Sequence, residues 1–176
     1  DIILSNGTRD KRIYNTVLLS IARGKRTPTE IALDMEIQTN ELSKYLKVLC
    51  DEEIEKIVKE ALGSLNIDSK KYSEKMCLNV ISSAKDELMT PKEYKIEASG
   101  DYRDEIVAQV YEKYQSMLRD NNALDFDDLI MLTVKLFREC EDVLKNYHAR
   151  FKYIMVDEYQ DTNTAQFQLI KLLASG

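Results

Sequence analysis

Apolar residues recur at helical spacing along nearly the whole chain. Tyr14, Val17, Leu18 and Ile21 form one stripe, with Gly24 placed to end it as a C-cap. Thr27 and Thr29 flank Pro28 as helix-start residues, and Ile31, Ala32 and Met35 mark the apolar face of a short second helix. Asn40 is placed to cap a third, whose stripe is Leu42, Tyr45, Leu46 and Leu49. Ile54, Ile57, Val58, Ala61 and Leu62 make the next stripe, which stops near Gly63. After a polar connection, Cys77, Val80, Ile81, Ala84 and Leu88 predict a helix that ends at the segment TPKEY. Ser99-Gly100 is a break before the long stripe Ile106, Val107, Val110, Tyr111, Tyr114 and Met117. RDNNAL reads as a turn. Asp125, with Asp128 three residues on in the capping-box position, starts a helix carrying Phe126, Leu129, Ile130, Leu136 and Phe137. Lys152–Val156 is the one apolar run that predicts a strand, and a final helix is expected from about Thr164 to Leu173.

Composition agrees with a helical chain. Among 176 residues there are only 5 Gly and 2 Pro, too few for a turn-rich β architecture or long disordered linkers. The length suffices for a sizeable core in one or two small domains. No apolar stretch reaches membrane-spanning length, and DIILSNGTRDKR lacks the features of a signal peptide, so a cytoplasmic location is expected. Cys50, Cys77 and Cys140 are widely spaced and His148 stands alone, which argues against a zinc set or a Ser/His/Asp triad. The net charge of −6 is uneven: residues 1–50 hold 8 basic against 6 acidic side chains, and the remainder is strongly acidic. Global charge therefore gives no support for nucleic-acid binding, although a local basic face would suffice.

Chemistry is concentrated in two places. In TPTEIALDMEIQTNELSKYLKVL, the small Ala32 stands where two helices would cross, Ile37 fills the turn, and Leu42 and Tyr45 point back from the second helix. This spacing resembles the winged helix-turn-helix module of archaeal ATPases and regulators over about residues 11–49. That resemblance implies DNA contact by Thr39, Asn40, Ser43, Lys44 and Lys47, with Arg23, Lys25 and Arg26 near phosphate. A three-helix packing module that binds no DNA is the preferred reading of the same residues, and CDEEIEKIVKEAL is helical where a wing would need a hairpin.

The second place is FKYIMVDEYQDTN, an apolar run ending in Asp157 and Glu158, the form of a Walker B strand. Acids at the end of such a strand can hold Mg²⁺ and activate an attacking water. VDEYQDTN resembles motif II of UvrD/Rep/PcrA-type superfamily 1 DNA helicases, usually VDEFQDTN, with Tyr159 in place of Phe. ALDFDDLI is similar to the segment that precedes that motif, and SLNIDSKKYSEKMCLNVISSAKDELMTPKEY to the helical 1B insertion of the same enzymes. The resemblance covers about residues 51–176 and implies ATP and Mg²⁺ as cofactors and single-stranded or duplex DNA as partner. It assigns Asp157 to the metal, Glu158 to nucleotide-site catalysis as the water-activating base, and Gln160 with Asp161 to a link toward neighbouring motifs. Capping the following helix is an equal role for Asp161. Asp125, Asp127 and Asp128 are expected to cap and solubilise a helix, and Tyr111 and Tyr114 to pack in the core in preference to stacking on bases.

The expected fold is mainly α. It comprises a helix-turn-helix-like unit (1–50), a helical 1B-like region (51–120), and a partial α/β motor domain carrying one Walker B strand (121–176). A P-loop requires G-x-x-x-x-G-K-[ST], and the only Gly-Lys pair, Gly24-Lys25, has Leu19 at the first glycine position and Arg26 at the hydroxyl position. The chain alone is therefore expected neither to hydrolyse ATP nor to unwind DNA. Its acids would act with a P-loop supplied from elsewhere, and missing helicase segments or a second copy would complete the sheet. A fragment, a chimera, a degenerate relative and a natural rearrangement all fit the join near YLKVLCDEEIE. A non-enzymatic DNA-binding or protein-interaction module on a helicase-derived scaffold is the competing reading.

Overall fold

The computed structural model describes Leu33, Glu36, Lys47–Val48 and residues 51–175, apart from the side chains of Lys47, Val48, Asp51 and Glu52. Thr39, Asn40, Ser43 and Lys44, and most of the expected three-helix unit, lie outside the described residues. The chain forms two compact units, one of residues 1–48 with 119–124 and the other of Leu49–Leu118 with Asp125–Gly176.

In the first unit, β1 (Lys47–Val48) pairs in parallel with β2 (Ala123–Leu124), Lys47 opposite Ala123 and Val48 opposite Leu124. This corrects the expected third helix at its end, because Lys47 stands in a strand and not on a recognition helix. The stripe Leu42–Leu49 has helical spacing, yet a partner strand offering backbone hydrogen bonds outweighs weak local propensity. β2 likewise occupies part of what reads as a turn, with Asn122 at φ +50 just before it.

The second unit is helical. Helix α1 (Asp51–Ser64) buries Val58, Ala61 and Leu62 against α2 (Glu74–Asp86), whose inward face is Cys77, Ile81 and Ala84. Ser73 caps α2, its hydroxyl accepting from the Met76 N–H at 3.3 Å. The chain does not stay irregular at TPKEY. Thr90 and Glu93 form a reciprocal capping box with Pro91 in the first turn, and they open the short helix α3 (Pro91–Glu97). Gly100 then adopts φ +102, a conformation that glycine enters without a Cβ clash, and turns the chain into α4 (Tyr102–Asp120).

Helix α4 carries the core. Val107, Val110, Tyr111, Tyr114 and Leu118 are essentially inaccessible, each large side chain worth roughly 1.5–3 kcal/mol of burial. The core reading of Tyr111 and Tyr114 is correct, and the Tyr111 hydroxyl donates to the Met89 carbonyl at 2.9 Å. Helix α5 (Phe126–Glu139) follows Asp125, and α6 (Glu141–Arg150), too polar to show as a clear stripe, packs on it. The last helix, α7 (Thr164–Ala174), lies against α5, α6 and α2. Its His148 contact, from the ring Nε2 to the Leu172 carbonyl at 2.8 Å, ties α6 to α7. No helix among the described residues is long and apolar enough to cross a membrane.

The strand expected at Lys152–Val156 is not formed. Among the described residues nothing pairs with it, and its backbone makes no ladder bonds. Its exposure still alternates: Tyr153 is 93% and Met155 96% exposed, whereas Ile154 and Val156 are 37% and 36%. The run is thus open to solvent, less so at Ile154 and Val156, and not buried on both faces. Strand character depends on neighbouring strands that satisfy N–H and C=O groups, and apolar content alone cannot supply them.

Candidate nucleotide and metal site

The residues after Val156 form a tight turn. Asp157 Oδ1 accepts the Glu158 N–H at 3.0 Å, and Glu158 adopts φ +47, ψ +42 in the left-handed region. Glutamate enters that region at a cost of about 1–2 kcal/mol, so the turn's own bonds must hold it there. The Glu158 carbonyl accepts from the Asp161 N–H at 2.8 Å, closing a single 3₁₀ turn over Tyr159–Asp161. The Gln160 side-chain amide donates to Glu158 Oε2, and the Thr162 hydroxyl donates to the Tyr159 carbonyl at 2.9 Å. Asn163 then caps α7, its Oδ1 accepting from the Gln166 N–H at 2.8 Å while the Gln166 side chain returns a bond to the Asn163 N–H. The cap is Asn163, and Asp161 does not serve that role.

Three predicted residues are therefore brought together: Asp157, Glu158 and Gln160 share one exposed turn. Their donors suit a hard cation, since both acids present carboxylate oxygens. Asp157 Oδ1 and Glu158 Oε2 already accept hydrogen bonds, which leaves one oxygen of each acid available. No group of three or more His, Cys, Asp or Glu residues among the described residues is arranged to cage a metal. Two acids plus phosphate and water oxygens are a usual Mg²⁺ arrangement, so the residues present fit a nucleotide-borne Mg²⁺.

A second constellation lies in the interior and escaped the sequence reading. Lys85, 1% exposed, donates from Nζ to Asp125 Oδ2 and to Asp128 Oδ1, the latter at 2.8 Å. Asp125 Oδ2 also accepts the Tyr114 hydroxyl at 2.8 Å, and both Asp128 oxygens accept the Gln115 amide at 3.0 Å. The Lys85 ammonium sits 5.4 Å from the Tyr114 ring centroid, within cation–π range. Asp125 and Asp128 also form the capping box that opens α5, as expected. Solubilising the helix, however, is not their role, because both are buried beneath Lys85.

The electrostatics follow from one cation serving two acids. Burial pushes the Asp125 carboxyl up. The Lys85 charge and the hydrogen bonds from Lys85, the Asp128 N–H and Tyr114 outweigh that effect, and they hold it below the ordinary carboxylate range. Asp128 is raised: burial leads, repulsion from Asp125 adds to it, and its contacts with Lys85 and Gln115 do not offset them. Neighbouring Asp127 is engaged from the same helix face, its Oδ2 accepting the Ser82 hydroxyl at 2.8 Å.

The acid turn, the capped LDFDDLI helix and the Lys-bearing helix that locks its first turn all fall within one stretch of family likeness. Residues 27–176 correspond to the UvrD/REP helicase N-terminal domain. The chain belongs to the UvrD/REP helicase family. It is 52% identical over 119 residues to the ATP-dependent DNA helicase PcrA of Staphylococcus aureus strain Mu50, covering 68% of this chain and 16% of that protein. The PcrA of Staphylococcus epidermidis is 50% identical over 119 residues with the same coverage. The chain thus spans about one sixth of the length of these relatives. The UvrD/REP match begins at residue 27, inside the stretch that resembles a helix-turn-helix, so the family's domain takes in part of that stretch.

Proposed function

We propose that this chain is a piece of the first motor region of an ATP-dependent DNA translocase of the UvrD type. Asp157 supplies a carboxylate to the Mg²⁺ of Mg-ATP, and Glu158 is the base that takes a proton from the attacking water. Gln160, bonded to Glu158 Oε2, holds that carboxylate in orientation. The observation that carries this reading is the closed turn that joins Asp157, Glu158 and Gln160 in a chain of this family. The phosphates must be cradled by a P-loop outside the acid turn, since phosphoryl transfer is largely positioning and charge stabilisation. DNA is the proposed polymer substrate, and a complete parallel sheet around Lys152–Val156 the proposed setting of the site.

The test supplies a P-loop in trans. The chain is mixed with the P-loop-bearing remainder of a UvrD-type motor, and Mg-ATP turnover is measured with and without DNA. Turnover should appear only in the mixture, and Glu158→Gln should lower it by about 10²–10⁴-fold while nucleotide binding persists. Turnover retained in that variant would remove Glu158 as the base.

A further inference from the structure

Three residues on the last turns of α2 reach the starts of two later helices. Ser82 donates to Asp127 at 2.8 Å, and Lys85 grips Asp125 and Asp128 at the start of α5. The next residue, Asp86, accepts from the side-chain amide of Asn163, the cap of α7. Asn163 is committed at both ends. Its Oδ1 serves the Gln166 N–H and its Nδ2 serves Asp86, so turning the amide over would set its oxygen against a carboxylate. Aspartate would cap α7 but repel Asp86, and serine would cap it but offer no amide to Asp86. From Asn163 back to Glu158 the chain is bonded nearly residue by residue, through Thr162 to Tyr159 and Asp161 to Glu158. Fixing Asn163 therefore fixes the acid turn.

The geometry points to Asp86 as a positioning residue for the acids: through Asn163, the end of α2 sets where the Asp157–Asp161 turn sits. Lys85 gives this clasp a rigid base, because a buried ammonium bonded to two buried carboxylates cannot shift without stranding charge. The helical middle of the chain is thereby linked mechanically to the turn five residues before the α7 cap. That the turn needs positioning rests on the reading of Asp157 and Glu158 as metal and water residues. The bonds themselves do not.

The test uses the 176-residue chain and reads backbone amides by NMR. In Asp86→Ala, solvent exchange of the Asp161 and Thr162 amides should rise at least about threefold, with the amides of α2 and α5 unchanged. Asp86→Asn keeps an acceptor oxygen and should restore the wild-type rates. Asn163→Ser keeps the cap but loses the amide. It should reproduce Asp86→Ala, and the double variant should add nothing further. Unchanged exchange in Asp86→Ala overturns the clasp, and so does acceleration spread evenly through α2 and α5, the mark of general destabilisation. Mn²⁺ broadening of the Asp157 and Glu158 amides is recorded in parallel, and Asp86→Ala should weaken it. If wild type shows no broadening while the exchange pattern holds, the metal reading falls and the clasp stands.

Discussion

The Lys85 ammonium lies 2.8 Å from the Asp128 carboxylate with both side chains in the interior, 40 or more residues apart in sequence. Lys85→Met fills a similar volume but leaves two carboxylates buried without a cation. The variant should lose about 3–5 kcal/mol of stability, measured by urea denaturation at neutral pH. A loss below about 1 kcal/mol would show that water reaches the cluster and screens it.

Asp125 and Asp128 should separate with pH. The folded-state value of Asp125 is lowered, so its contribution is complete above the unfolded value near about 3.9 and is lost as pH falls through the folded value. Asp128 is raised, so its contribution is favourable below the unfolded value and is lost as pH rises through the folded one. Asp125→Asn should therefore be the more destabilising substitution at pH 7, and its deficit against wild type should shrink on acidification below about pH 4. Denaturation midpoints across an acid series check this, and a larger deficit for Asp128→Asn at pH 7 would contradict it.

Tyr114→Phe removes the hydroxyl that Asp125 accepts but leaves Lys85 and the capping N–H in place. The variant should fold with a loss of about 1–2 kcal/mol. Burial, and then the nearby acids, push both Tyr111 and Tyr114 far above the ordinary tyrosine range. In a spectrophotometric titration, Tyr111 and Tyr114 should ionise only as the chain unfolds.

Cys77 is fully buried, and its thiol is pushed up to about 11 by burial first and by Glu74 second. It should resist a thiol reagent at pH 8 in the native chain and react on denaturation. Mass spectrometry of labelled peptides distinguishes it from Cys140, which is half-exposed.

What was readable in the sequence divides by the distance between partners. The α5 start was legible because Asp125 and Asp128 cap each other within one turn. Thr90-Pro91 with Glu93 was equally legible as the start of α3, and the apolar-stripe reading passed over it because this helix buries no residue. Lys85 was invisible as a core residue. It reads as a solvated charge next to Asp86, and only folding brings Asp125 and Asp128 to it. The run YIMV is the opposite case: its strand form depends on neighbours that no local pattern contains. The acid turn is intermediate. Asp157, Glu158 and Gln160 were named from the motif, but the left-handed backbone of Glu158 and the grip of Asp86 on Asn163 come from the fold.

The separation of 77 residues between Asp86 and Asn163, like that between Lys85 and Asp125, also orders events in time. On a growing chain, Lys85 leaves the ribosome about 40 residues ahead of its carboxylates, and until they arrive its charge must stay in water. α2 can coil early, but it cannot bury its last turn until α5 is made, nor close on α7 until Asn163 has emerged. Contacts of such span slow folding, because loop closure is paid before they form. The acid turn is thus set in place only after the last partner of the clasp, Asn163, has been made.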